Sequence, residues 1–110
     1  MRRRAHLAGG AEQLRVEEAV PIPEPKDDEV CIKVHAAGVN FVDTYQRSGL
    51  YPLPLPATLG KEGAGVVTKV GAAVADLKAG DRVAFAQLQG SYAEYVCGKA
   101  SQVVIVPAQV

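Results

Sequence analysis

The residues able to do chemistry are few in this chain, and most fall in one stretch. Asn40 is its only asparagine, and Phe41, Thr44, Tyr45, Arg47 and Tyr51 follow closely. An amide, a hydroxyl, two phenols and a guanidinium beside a proline-rich loop could line one wall of a ligand cleft. The same residues also read as a helix cap, a core aromatic face and a surface arginine. Residue types alone allow both readings.

Other chemistries find less support. The candidate metal ligands are His6, His35, Cys31, Cys97 and scattered carboxylates. Cys31 and His35 fall on one face of a predicted strand, too far apart for one zinc ion, and no pair has C-x₂-C or H-x₃-H spacing. The spacing therefore predicts no metal site. There is no G-x-S-x-G, and neither cysteine adjoins a histidine or a helix start, so no activated nucleophile is expected. Cys31 and Cys97 are distant in sequence and are expected to be two reduced, half-buried thiols. Gly60-Lys61-Glu62-Gly63-Ala64-Gly65 runs G-x-x-G-x-G between a proline loop and a strand. A dinucleotide fingerprint runs G-x-G-x-x-G, from a strand into a helix. Gly63 and Gly65 are instead expected to relieve backbone crowding where the chain enters a sheet.

The elements that must position these residues are mostly short strands. Strands are predicted at Arg3–Ala8, Leu14–Val20, Glu29–Ala37, Gly63–Val70, Asp81–Ala86, Ser91–Val96 and Gln102–Val106. Along Glu29–Ala37, Val30, Ile32, Val34 and Ala36 should face one way, and Cys31, Lys33 and His35 the other. Pro21, Pro23 and Pro25 cannot donate to a ladder, so 21–28 is a loop. The only helix is expected within Gly38–Ser48, with Asn40 as its N-cap, Phe41, Thr44, Tyr45 and Ser48 at helical spacing, and Gly49 at its end. Leu50–Leu59 reads as a proline-stiffened loop, and 71–80 as a long turn. One short helix cannot serve as a βαβ crossover. The pattern is a mainly β, closed or partly open barrel with one helix.

Composition narrows the function classes. The chain has 110 residues, enough for one domain, with 48% hydrophobic and 22% charged residues, which argues for a folded core. Twelve basic residues balance twelve acidic ones, so nothing recommends nucleic acid or an anionic membrane as a partner. The cluster Arg2-Arg3-Arg4 reads as the solvated start of the first strand. No stretch approaches the ~20 apolar residues of a membrane span, and no apolar region follows the arginines as in a signal peptide. A cytoplasmic protein is expected.

The segment Ala37-Gly38-Val39-Asn40-Phe41-Val42-Asp43-Thr44-Tyr45-Gln46-Arg47-Ser48-Gly49-Leu50-Tyr51-Pro52 closely resembles the zinc-free quinone oxidoreductases. These form the zeta-crystallin-like branch of the medium-chain dehydrogenase/reductase superfamily. Further motifs agree in order: Pro23-Glu24-Pro25 with Asp28-Glu29-Val30, Gly60-Lys61-Glu62-Gly63-Ala64-Gly65-Val66-Val67, Lys78-Ala79-Gly80-Asp81-Arg82-Val83 and Gly90-Ser91-Tyr92-Ala93-Glu94-Tyr95-Val96. The resemblance spans Gly9 to Pro107. It implies a GroES-like, partly open β-barrel and makes residues 1–110 the substrate-side domain of a longer two-domain chain. The family's Rossmann domain would follow Val110.

Zinc-dependent relatives carry a cysteine where Asn40 stands and a histidine where Lys61 stands, so the resemblance implies no zinc. It implies hydride transfer from NADPH to a quinone or enone in the intact enzyme, with this domain inactive alone. Asn40 and Phe41 would lie near the nicotinamide. Tyr45 and Tyr51 would wall the pocket, touch cofactor and acceptor, and act as the catalytic donors. The residues that tell NADPH from NADH would lie on the Rossmann domain. A homodimer is implied for the intact enzyme. A 2-enoyl-thioester reductase with Tyr51 as proton donor, and a non-catalytic GroES-like interaction module, are the alternative readings.

Overall fold

A computed structural model of the chain describes residues 2–6 and 8–110. Its strands are β1 (Arg2–Ala5), β2 (Leu14–Glu17), β3 (Glu29–Gly38), β4 (Ala57–Thr58), β5 (Glu62–Val70), β6 (Arg82–Phe85), β7 (Tyr95–Lys99) and β8 (Val103–Ile105), with one α-helix, α1 (Phe41–Ser48), between β3 and β4. They form a three-stranded sheet, β2-β1-β4, and a five-stranded sheet, β7-β3-β5-β6-β8, with antiparallel pairing throughout. The mainly β, one-helix architecture expected from the sequence is the one observed, and its sheets are open. The expected strand Arg3–Ala8 is realised only in part, as β1 over Arg2–Ala5: the chain bends at His6 and Ala8, and Leu7 lies outside the described residues.

The core is one cluster of Val30, Ile32, Val67, Leu77, Val83, Phe85, Leu88, Val96 and Val103 on one face of the larger sheet. The two sheets are joined by backbone hydrogen bonds from the chain between β6 and β7. Arg3 N–H donates to Tyr92 O at 2.7 Å, Tyr92 N–H to Leu59 O at 2.9 Å, and Val34 N–H to Glu94 O at 2.7 Å. This corrects the strand expected at Ser91–Val96. The chain bends at Tyr92 and Glu94, with only Ala93 in an isolated bridge to Arg2, its backbone groups bridge the sheets, and the regular ladder begins at Tyr95 and runs to Lys99.

Three other expectations need correction. Alternation along β3 holds for Val30 and Ile32 but fails at Ala36, which is exposed. Register slips between Val34 and Ala36, so His35 is an extra residue there, and such a bulge turns the following side chains over. Strand β2 stops at Glu17 and does not reach Val20. Ala19 adopts φ 54, a left-handed conformation that no ladder accommodates. The arginine cluster is not simply solvated. Arg2 Nη2 lies 3.0 Å from Glu17 Oε2 and Arg4 Nη1 3.8 Å from it, both side chains half-buried, while Arg3 alone is exposed.

Cys31 and Cys97, far apart in sequence, stand directly opposite each other on β3 and β7. Cys31 is fully buried and Cys97 half-buried, and both are free thiols.

The glycines of the G-x-x-G-x-G segment have the backbone role expected of them. A Cβ on Gly65 would collide with the Lys33 carbonyl of the neighbouring strand, and one on Gly63 would sit 2.6 Å from Ala36 O. Close pairing of β5 with β3 therefore requires glycine at both positions.

Candidate functional site

Helix α1 starts where the sequence signals it. Asn40 is extended, with φ −129 and ψ 158, and its backbone N–H donates to Asp43 Oδ2 at 3.0 Å, so the third residue of the helix caps the first turn. Gly49 closes the helix at φ 89, a left-handed conformation for which glycine bears no Cβ penalty. This turn folds Tyr51 back, and its N–H donates to Tyr45 O at 3.1 Å. The Tyr45 and Tyr51 rings then meet edge to face, with centroids 5.2 Å apart and planes at 70°.

The helix does not bury the face expected from its apolar spacing. Phe41 is 79% exposed, and the buried residue is Asp43, at 2%. A buried carboxylate is costly unless it is hydrogen-bonded. Asp43 Oδ2 accepts both the Asn40 N–H and the Tyr92 hydroxyl, the latter at 2.6 Å. Burial, then the hydrogen bond to Asp43, pushes the Tyr92 phenol far above its ordinary range. Asn40 is held from a second direction, because its Nδ2 donates to Glu62 Oε1 on β5 at 2.8 Å. Asn40 is thus fixed through Asp43 and Tyr92 on its backbone side and through Glu62 on its side chain.

Asp43, Glu62 and Tyr92 were not among the residues singled out as site candidates. A helical Asp three residues after an asparagine cap signals the first, and Glu62 stands within the glycine segment. Nothing in the sequence signals that Tyr92 reaches Asp43.

The remaining candidates have local roles. Thr44 Oγ1 donates to Phe41 O at 2.6 Å, one turn back on the helix. Arg47 is not free on the helix surface. Its Nε donates to Gly9 O at 3.2 Å, and its own carbonyl accepts the Gly9 N–H at 2.9 Å. It ties α1 to the segment before β2.

The structure therefore places Asn40, Phe41, Tyr45 and Tyr51 on α1, its cap and the turn after it without enclosing them. A cavity of about 460 Å³ lies on the inner side of α1, lined by Arg3, Val39, Asp43, Thr44, Leu59 and Tyr92 among others, and none of the four belongs to it. A second, of about 720 Å³, lies between the β2–β3 loop and β7. Val39, Phe41, Leu50, Tyr51 and Leu55 are exposed apolar side chains on α1 and its flanks. Asn40, Phe41 and Tyr51 are exposed, and Tyr45 is half-buried beneath its contact with Tyr51. The N-terminus of α1 is occupied by the Asp43 carboxylate and does not offer a phosphate cradle. Among the described residues, no three His, Cys, Asp or Glu side chains gather as a metal site, and no helix is long and apolar enough to cross a membrane.

Two open antiparallel sheets with, among the described residues, a single capped α-helix define a GroES-like domain of the kind found in dehydrogenases. The chain belongs to the alcohol dehydrogenase GroES-like domain family, whose model matches residues 26–108. It is 46% identical over 107 residues to quinone oxidoreductase 1 of Escherichia coli (strain K12), a match covering 96% of this chain and 32% of that protein. It is 50% identical over 91 residues to the human quinone oxidoreductase, covering 79% of this chain and 27% of that protein. Its fold matches the crystal structure of Escherichia coli quinone oxidoreductase complexed with NADPH, with TM-score 0.94 and 45% identity over 99% of this chain and 34% of that one. The chain spans about a third of the length of the relatives it matches.

Proposed function

We propose that residues 1–110 are the substrate-side domain of a cytoplasmic, homodimeric, zinc-free NADPH-dependent quinone reductase, inactive without a nucleotide-binding domain. One observation carries the reading. Asn40, Phe41, Tyr45 and Tyr51 lie within a chain that matches a quinone oxidoreductase at 46% identity over 107 of its residues. An NADPH-bound relative of the same fold supports the choice of cofactor.

When bound, NADPH supplies the hydride; this chain supplies position and electrostatics. Asn40, its amide held by Glu62, orients the nicotinamide or the acceptor oxygen. The Tyr51 hydroxyl donates to that oxygen as charge develops on it, and the edge-to-face contact with Tyr45 fixes the Tyr51 ring. Phe41 packs beside the ring system. Asn40 and Lys61 stand where zinc-dependent relatives carry ligands, so these donors act without a Lewis acid. A quinone or enone suits them, because charge on its oxygen is delocalised through the conjugated system.

The test is a chimaera in which residues 1–110 replace the corresponding domain of the Escherichia coli quinone oxidoreductase. Quinone-dependent NADPH oxidation is expected, falling about 10²-fold or more in kcat/KM when Tyr51 becomes Phe if that hydroxyl is the main donor. Turnover of long-chain 2-enoyl thioesters with none of quinones would move the assignment to the thioester reductases. A folded chimaera with neither activity would overturn it.

A further inference from the structure

We infer that Cys31 and Cys97 form a built two-thiol site that a hydroperoxide converts to a cross-strand disulfide. This inference is independent of the reductase reading. The pairing geometry carries it. Val34 N–H donates to Glu94 O at 2.7 Å, and Ala100 N–H donates to Asp28 O at 3.0 Å. With the constant β3–β7 register, these bonds place the hydrogen-bonded pairs at even-numbered β3 positions. Cys31 and Cys97 fall between them, at a non-hydrogen-bonded pair. Opposed Cα atoms there are about 4.5 Å apart, with side chains close together on one face. That separation lies within the roughly 4.4–6.8 Å that a disulfide spans, so the bond needs no strand to move far.

The surroundings give the site a floor, a cover and an entrance. Cys31 is fully buried, while Cys97 lines the cavity of about 720 Å³ between the proline loop and β7. The loop lies against the pair: Cys97 Sγ is 3.6 Å from Pro23 O, and Glu24 binds Lys69 Nζ on β5 at 2.8 Å. Lys69 stands opposite Cys31 in the sheet, and Glu29 and Glu24 are the acidic groups near Cys97. The two sulfurs interact, and burial with the neighbouring Cys31 holds the Cys97 thiol well above its ordinary range. The thiolate is the attacking form, so oxidation is expected to need excess peroxide and long exposure.

The chemistry balances with one molecule of hydrogen peroxide. Cys97, reached from the cavity, attacks the peroxide as thiolate. The O–O bond breaks, the leaving hydroxide takes up the proton that Cys97 released and departs as water, and Cys97 becomes a sulfenic acid. The Cys31 sulfur then attacks Cys97 Sγ. The S–S bond forms and the sulfenic oxygen leaves as a second water, taking the Cys31 proton. Two thiols have been oxidised, and the peroxide has been reduced to two molecules of water.

The experiment treats the purified chain with excess hydrogen peroxide, then denatures it, titrates thiols and measures intact mass. The expected result is a fall from two titratable thiols to none, with loss of two hydrogen atoms in mass. The chain should remain a monomer on a non-reducing gel, yield a peptide linking Cys31 to Cys97, and recover fully with dithiothreitol. The Cys97→Ala variant should form no such link. Oxygen adducts on Cys97 with Cys31 still free, cross-linked dimers, or two thiols still titratable after prolonged exposure would each overturn the inference. The wild-type mass decides the matter even if the variant folds poorly.

Discussion

Replacing Asp43 tests the reasoning that positions Asn40. The carboxylate is 2% exposed, accepts the Tyr92 hydroxyl at 2.6 Å and accepts the Asn40 N–H at 3.0 Å. A hydrogen bond to a charged group contributes about 1.5–3 kcal/mol, and loss of a helix cap costs about 1 kcal/mol. The Asp43→Ala variant strands a half-buried phenol and an orphan backbone donor at the helix start together. The effects overlap, so a net loss of about 2–4 kcal/mol is expected. In a domain of this size that lowers the melting temperature by roughly 10–25 °C. Asp43→Asn retains one acceptor and should lose about half as much. Urea denaturation of Asp43→Ala, Tyr92→Phe and the double variant closes a cycle, and a coupling of about 1–2 kcal/mol is expected between the pair. A loss below about 0.5 kcal/mol for Asp43→Ala, or strict additivity in the cycle, would refute the claim that this bond anchors α1.

Four further outcomes follow from the same structure. Tyr92 has its folded-state pKa raised, so its contribution to stability is complete below the usual phenol value of 10.0 and is lost as pH climbs beyond it. Ultraviolet titration should show one of the four tyrosines ionising late, and Tyr92→Phe should remove that phase. Glu17 has its pKa lowered, first by the hydrogen bond from His6 and then by that from Arg2, so its contribution is present above 4.5 and fades as pH falls through its depressed folded value. Glu17→Gln should flatten the acid side of the stability profile, and salt should weaken the wild-type advantage. Gly65→Ala forces a methyl group against the Lys33 carbonyl and should cost several kcal/mol, or the fold itself, measured by thermal unfolding. Ile32, fully buried in the core, should cost about 2–5 kcal/mol as Ala and about 1 kcal/mol as Val.

The parts of this structure governed by local rules were legible in the sequence. Asn40 and Gly49 punctuate α1 because a cap and a left-handed turn each need particular residues. β5 is evident from its β-branched run, and the two glycines within it from the close pairing they permit. Features set by partners distant in sequence were not legible. Residues 91–94 have the same pattern as a strand, yet their carbonyls and amides join two sheets. The spacing of Asp43 after Asn40 signals a cap, but its burial depends on Tyr92, which arrives from 49 residues away. Cys31 and Cys97 become neighbours only through the β3–β7 register. In the candidate site, the Asn40–Tyr51 stretch was visible as a cluster of chemical types, and the turn at Gly49 explains why Tyr45 and Tyr51 meet. Glu62, which holds the Asn40 amide, needed the β3–β5 pairing to be seen.

The central claim is that these 110 residues are the substrate-side domain of a two-domain reductase. The most direct measurement is the mass of the natural gene product in its source cells, detected with an antibody against this chain. The account predicts a product about three times the 11.6 kDa of this chain, matching the share of its relatives that it spans. A product of 11.6 kDa would contradict it and leave a barrel that works alone or with a separate partner.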